Sequence, residues 1–310
     1  MSNIQFHIME KSNNIKEKVV VIVGPTASGK TSLSIQIAKN FNGEIISADS
    51  RQVYRGLDLG TGKVTEEEMQ GIPHHLLDVA DPMDTYNSAD FVIAGREAVS
   101  KIVSRSKLPI VAGGSFFYID NLLGKINTPE VPPNPELRAK LEKMDNEALF
   151  GALEKSDPRR ASEIDRHNKV RLVRALEIVA SLGAVPEQSS EPIYDALTIG
   201  IKINKDELHK NIHTRITNRL DEGMIEEVEK LHDDGMTYER MEELGLEYRY
   251  IAKYLQKQIT KEKMIEEIDA KTRQFAKRQM SWLKRDRDIQ WFDLGDTEDV
   301  FPSVDTFLNK

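Results

Sequence analysis

Hydrophobic and polar positions change their rhythm several times along this chain, and each rhythm predicts an element. Val19-Val20-Val21-Ile22-Val23 is an unbroken β-branched run, the pattern of a strand buried on both faces of a parallel sheet. Glycine-rich residues follow, and then helical spacing from Lys30 to about Phe41. Glu44-Ile45-Ile46-Ser47-Ala48 reads as a second strand ending at Asp49, and Leu108-Pro109-Ile110-Val111-Ala112 as another, closed by Gly113-Gly114. Strands and helices in this order predict an α/β fold with a P-loop-type doubly wound parallel sheet.

Near residue 121 the rhythm changes. Thr128 to Pro135 holds four prolines and reads as a linker. Pro135 to Lys155 and Asp157 to Ser181 are charged and helical, and Val170, Val173, Leu176 and Ile178 mark an apolar stripe on the second. Gly183 to Pro192 is loop-like, and Leu197 to Ile203 alternates strictly and reads as a return to the sheet. The spacing therefore predicts a catalytic core of residues 1–120 and 197–310, interrupted by a helical insertion over 121–196. Asn204 with Glu207 resembles a capping box. It opens a long helix with Leu208, Ile212, Ile216 and Leu220 on its buried face. Helix continues to about Lys284, and Ile289 to Leu294 reads as a final edge strand.

Composition narrows the class. With 39% hydrophobic and 30% charged residues, the 310-residue chain has the make-up of a globular protein. It has no cysteine, which excludes disulfides, thiolate nucleophiles and cysteine-based zinc sites. Met1 to Lys18 has no apolar stretch long enough for a signal-peptide core, and no segment approaches a membrane span, so a cytoplasmic location is expected. The net charge of −8 argues mildly against nucleic acid as a partner. However, Lys271, Arg273, Lys277, Arg278, Lys284, Arg285 and Arg287 gather against the single acid Asp286. A basic segment on an acidic chain directs a polyanion to one face.

The candidate chemistry starts at Gly24-Pro25-Thr26-Ala27-Ser28-Gly29-Lys30-Thr31, which fits G-x-x-x-x-G-K-[ST] after a buried strand and at a helix start. Such glycines let backbone amides converge on phosphate oxygens, and the helix N-terminus adds partial positive charge. Lys30 adds a full charge, and Thr31 a hydroxyl for Mg2+. Asp49, at the carboxyl edge of a strand, fits a turn cap, a magnesium ligand or a general base equally well. Arg215 and Arg219 share a helix face, suited to clamping a diphosphate or to ordinary surface ion pairs. His213 on the same helix reads as structural. Phe275, Trp282 and Trp291 interleave with the basic cluster, as stacking residues for RNA do. Phe275 reads better as a core residue, and Trp282 fits either role.

Several stretches together resemble the bacterial tRNA dimethylallyltransferases. They are Gly24 to Thr31, Ile46 to Thr61 (ISADSRQVYRGLDLGT), Gly71 to Asp78 (GIPHHLLD) and Gly113-Gly114. Arg171 to Glu177 (RLVRALE), His213 to Ile216 and Thr272 to Leu283 (TRQFAKRQMSWL) continue the series in order. The resemblance implies that the P-loop, Gly24 through Thr31, holds the diphosphate of dimethylallyl diphosphate, with Arg215 and Arg219 near it. It implies Asp49 as general base and Thr26 close to the reacting centre. It also implies tRNA contacts at Asp49, Ser50, Arg51, Gln52, Ser115, Arg138, Val170, Arg171, Leu172, Val173, Arg174, Lys277, Arg278, Gln279, Trp282 and Lys284. The insertion would then lie across the anticodon stem-loop, and the chain would act as a monomer.

The implied reaction moves a dimethylallyl group onto the exocyclic N6 amine of the adenosine beside the tRNA anticodon. Two positions depart from the pattern: Ser115 replaces a usual threonine and keeps its hydroxyl, and Glu247-Tyr248 stands where many relatives have Gly-Tyr. A carboxylate at 247 would repel an RNA phosphate or shift the local turn. Three rival readings remain from the residues: an isopentenyltransferase of free adenine nucleotides, a P-loop small-molecule kinase, and an RNA-binding P-loop protein without transferase activity.

Overall fold

The structure, a computed structural model, describes residues 16–187 and 189–310. The expectation about a signal peptide in Met1 to Lys18 therefore lies, up to residue 15, outside the described residues. No helix among the described residues is long and apolar enough to cross a membrane.

The chain forms two compact units, residues 1–124 with 192–310, and residues 125–191. The first holds six strands: β1 Lys18–Val23, β2 Gly43–Ser47, β3 His74–His75, β4 Leu108–Ala112, β5 Asp195–Lys202 and β6 Gln290–Asp293. They make one sheet in the order β3-β2-β4-β1-β5-β6, every pair parallel. The β-branched run of β1 lies at its centre, with Val20 opposite Ile110 on one side and Leu197 on the other. Val19 to Ile22 are wholly buried, and complete burial of each such side chain stabilises by about 1.5–3 kcal/mol. The chain leaves β1, passes over β4's place to β2, and later returns to β1's other side as β5. That reversal of strand order is where ligand clefts form at the carboxyl ends of such sheets.

The structure adds to and corrects the sequence reading in this unit. β5 alternates in sequence, yet Leu197 to Ile201 are buried on both faces. The positions that looked polar or small are Thr198 and Gly200, and a Cβ at Gly200 would come within 2.6 Å of Ile289 and 2.7 Å of Trp291. The opposite face packs with Val300 and Val304 of a last helix, Val300–Leu308, that the pattern did not signal. The helix Ser88–Ser104 was also unanticipated. Asn204 does cap Lys205–Asp221, accepting from the Glu207 N–H at 2.8 Å, but Glu207 reaches the Asn204 side chain and not its backbone. Helices from Lys205 to Leu283 build a second core around Ile212, Ile216, Met224, Tyr248 and Ile268.

The second unit, Lys125–Glu191, contains the helices Pro135–Leu141, Asn146–Ser156, Pro158–Glu163 and Lys169–Leu182. The sequence suggested two longer helices. The first breaks before Asp145 and the second before Asn168, each of which accepts a backbone N–H at the start of the next helix. Its core is Leu149, Leu153, Leu172, Val173 and Ile178. Val170, placed on the apolar stripe from spacing, is 79% exposed instead. It sits in the first turn, where the buried face has moved on to Leu172 and Val173.

Candidate active site

The loop after β1 turns because three of its positions tolerate unusual backbone. Ala27 and Gly29 are left-handed, at φ 60° and 82°, a conformation glycine adopts without strain. At Gly24 a Cβ would meet Ser28 Oγ at 2.8 Å. Gly29 starts the helix Lys30–Asn40 with no side-chain cap. Elsewhere Asn87, Asn134, Asp145, Asn168 and Thr260 cap helices with side-chain oxygens. With no side-chain acceptor on them, the leading amides of this helix are open to a ligand.

These residues open on a polar cleft of about 100 Å³ at the carboxyl ends of β1, β2 and β4, lined among others by Thr26, Lys30, Thr31, Asp49, Gln52, Arg215, Phe275 and Gln279. Lys30 donates to the Pro25 carbonyl at 2.7 Å. Burial, then the neighbouring Arg215, pull the Lys30 pKa from 10.5 down to about 7, against the opposing pull of Asp49. Two cations against one carboxylate make the lining suited to an anion. Asp49 Oδ1 accepts the Arg51 N–H at 2.9 Å, a turn that fixes the carboxylate at the end of β2.

The wall opposite the P-loop is zipped from three motifs. Ala48 N–H donates to the Ala112 carbonyl at 2.8 Å, Ser115 N–H to the Ala48 carbonyl at 3.0 Å, and Ser50 N–H to Ser115 Oγ at 2.9 Å. A Cβ at Gly113 would lie 2.1 Å from the Ala48 oxygen, so only glycine permits this approach. Gln279, 4% exposed, reaches in from the helix Lys261–Leu283. It accepts the Thr26 N–H at 2.8 Å and donates to the Gly114 carbonyl at 3.1 Å. Gln279 was named above with the tRNA contacts; the structure gives its side chain the task of joining the P-loop to the paired glycines.

The arginine pair divides. Arg215 lines the cleft, and its side chain makes no ion pair or hydrogen bond among the described residues. Arg219 does not line it. Its guanidinium donates to the Leu59 and Gly60 carbonyls at 2.9 and 3.1 Å and lies 3.4 Å from Glu247. Glu247, the departure from the resembled pattern, thus faces an internal cation. His213 pairs with Asp269 at 2.9 Å.

Other expected residues, Phe275 excepted, lie away from the cleft. Lys277, Arg278 and Lys284 are exposed on and just after the helix Lys261–Leu283. Trp282 is partly buried and donates to Asp120 at 3.1 Å. Phe275, read as core, is 39% exposed and lines the cleft, because its helix borders an opening there. In the unit of residues 125–191, Arg138 and Arg174 both grip the buried Glu177. Arg171 is exposed, whereas Leu172 and Val173 are buried core residues. Sequence reading missed Thr61, Gly62, Val64 and His74 of the lining. Thr61 and His74 lay inside quoted motifs but carried no assigned role. His74 Nδ1 is 2.9 Å from the Ile72 carbonyl, so it donates there. Burial lowers the pKa of His74 and favours the neutral ring.

Comparison with known proteins follows the same motifs. Residues 52–286 match the IPP transferase family. The tRNA dimethylallyltransferase of Anoxybacillus flavithermus is 38% identical over 286 residues, 90% of this chain and 91% of that one. The solved full-length tRNA isopentenylpyrophosphate transferase of Bacillus halodurans superposes with a TM-score of 0.73 at 34% identity, covering 95% of this chain and 97% of that one. A eukaryotic dimethylallyltransferase acting on tRNA gives 0.78 at 30% identity, over 91% and 75% of the respective chains. A phosphate-shaped loop, a carboxylate at the strand end and similarity across nearly the whole length agree: this chain belongs to the IPP transferase family.

Proposed function

We propose that this chain is a tRNA prenyltransferase that moves the dimethylallyl group of dimethylallyl diphosphate to the N6 amine of the adenosine beside the anticodon. The observation that carries the reading is the joint lining of one cleft by a cationic phosphate cradle and by Asp49. In the reaction the bond from the allylic carbon to the diphosphate oxygen breaks, a bond from that carbon to N6 forms, and N6 loses one proton. The adenine amine is a poor nucleophile because its lone pair is delocalised into the ring. Asp49, held by the Arg51 N–H, accepts the proton as the new bond forms. Uncapped amides, Lys30 and Arg215 meet the charge that develops on the departing diphosphate. The base enters unstacked, which costs least in a single-stranded loop.

Magnesium fits this lining in one way. No cluster of three or more His, Asp or Glu suited to a metal exists among the described residues. Mg2+ needs few protein ligands when phosphates and water complete its shell. The Thr31 hydroxyl, exposed on the first helical turn at the cleft, is the residue that would hold it, with Asp49 the one carboxylate nearby. Bound there, the ion would neutralise diphosphate charge. Contacts to tRNA are assigned to Ser50, Arg51, Gln52, Ser115, Lys277, Arg278 and Lys284, and, in the unit of residues 125–191, to the exposed Val170 and Arg171.

The test is transfer of label from radiolabelled dimethylallyl diphosphate, with Mg2+, to an unmodified anticodon stem-loop RNA and, in parallel, to AMP. Label on the RNA alone is expected. Label on AMP moves the acceptor to free nucleotides, and ATP turnover without transfer to either acceptor overturns the prenyl reading.

A further inference from the structure

One carboxylate outside the cleft carries more hydrogen bonds than a helix side chain needs. Glu227, on the helix Met224–Asp233, accepts three successive backbone N–H groups: Asp58 at 3.1 Å, Leu59 at 2.7 Å and Gly60 at 3.0 Å. It also accepts the hydroxyl of the fully buried Tyr248 at 2.7 Å. Successive amides that converge in this way form an anion-binding concavity, here filled by the protein's own carboxylate. The carbonyls of the same loop are taken by Arg219.

What this loop holds is the wall of the cleft. Thr61 and Gly62 line it. Gly62 donates to the Leu59 carbonyl at 3.1 Å, and its own carbonyl accepts from Gln52 at 3.1 Å. A Cβ on Gly62 would stand 2.7 Å from Arg215 Nη2, so the loop lies directly against that guanidinium. Gly60 packs as closely on Tyr248, where a Cβ would lie 2.4 Å from the ring. We infer that Glu227, oriented by Tyr248, is a positioning residue for the diphosphate site. Through the Asp58–Gly62 loop it sets where Arg215 stands to receive the leaving group. The inference rests on the proposed reading of the cleft as a diphosphate site. A charge-assisted carboxylate is the group for this task, because it satisfies several donors at once. Glutamine keeps the shape but turns one acceptor into a donor facing the loop amides.

The test uses the full chain with Mg2+ and inorganic diphosphate as the probe, by calorimetry, beside KM and kcat for dimethylallyl diphosphate and for stem-loop RNA. Glu227→Gln should weaken diphosphate binding about tenfold and raise the dimethylallyl diphosphate KM in step, with the RNA KM changed less than about twofold. Tyr248→Phe, which keeps the ring against Gly60, should cost about threefold, and Glu226→Gln should cost nothing. Diphosphate affinity within about twofold of the unsubstituted protein in both Glu227→Gln and Tyr248→Phe overturns the inference alone, as does an equal loss toward both substrates. If circular dichroism shows Glu227→Gln unfolded, Tyr248→Phe decides by the same criterion. An unsubstituted protein that takes up no diphosphate overturns the underlying reading and the inference with it.

Discussion

The two ends of the parallel sheet each gather charge, and they treat it in opposite ways. At the amino ends of β2 and β4 the buried Glu44 is surrounded by Arg105 at 2.6 Å, His75 at 2.7 Å and Lys107 at 2.9 Å. Burial alone would raise the Glu44 pKa, but the hydrogen bonds from Lys107, His75 and Arg105 prevail and bring it down to about 2. At the carboxyl ends, among the described residues, the Arg215 side chain has no hydrogen-bond or ion-pair partner, and Lys30 has only its own loop's carbonyl. There burial prevails, and the Lys30 pKa falls to about 7. The first cluster is complete and serves the fold. The second is short of negative charge, which a diphosphate would supply. Satisfaction, more than the number of charges, separates a structural cluster from a binding site.

That contrast can be broken most directly at Lys30. Lys30→Met should lower prenyl transfer by about a thousandfold without lowering the melting temperature. A fall in thermal stability would mean that the lysine serves the fold after all. Glu44→Gln should do the reverse. Removing one member of a buried charged cluster costs about 3 kcal/mol, read by denaturant titration, while transfer measured well below the melting point stays unchanged. Asp49→Asn tests the cleft's lone carboxylate and should reduce kcat about a hundredfold with little change in the KM for dimethylallyl diphosphate. Full activity there would remove the general base.

The smallest effects are in pH. The stability Glu44 contributes is complete above its ordinary pKa of 4.5 and is lost as pH falls toward about 2, so Glu44→Gln should flatten the acid limb of the stability curve. Lys30 has the opposite sense. Its folded pKa of about 7 lies below the ordinary 10.5, so the unfolded chain holds the extra proton between those values. Stability rises with pH across that window, and the rise should vanish in Lys30→Met.

Legibility followed sequence distance. The P-loop could be read because its eight positions are contiguous and sit between a strand and a helix, and Asp49 because it ends a run of buried residues. Gln279 was given to RNA through the family resemblance alone, since nothing local shows that it hydrogen-bonds Thr26. Glu227 looks like any acidic residue in a helix's first turn; its partners at Asp58 to Gly60 are set by tertiary packing alone. Phe275 and Val170 failed for a related reason. Helical periodicity tells which residues share a face, but not whether that face is covered along its whole length. The long helices expected in the insertion broke before Asp145 and Asn168, where a side-chain cap starts a new helix and outweighs propensity.

The bond from Thr26 to Gln279 spans 253 residues, and that separation sets a clock. On a ribosome adding about 5–20 residues each second, the phosphate loop emerges roughly 13–50 s before the glutamine that braces it. Central strand β1 likewise waits for β5, whose first residue is Asp195. During synthesis the nascent chain therefore carries an exposed β-branched edge and an unbraced phosphate loop. A chain that stops short of Gln279 should therefore leave the phosphate loop without its brace.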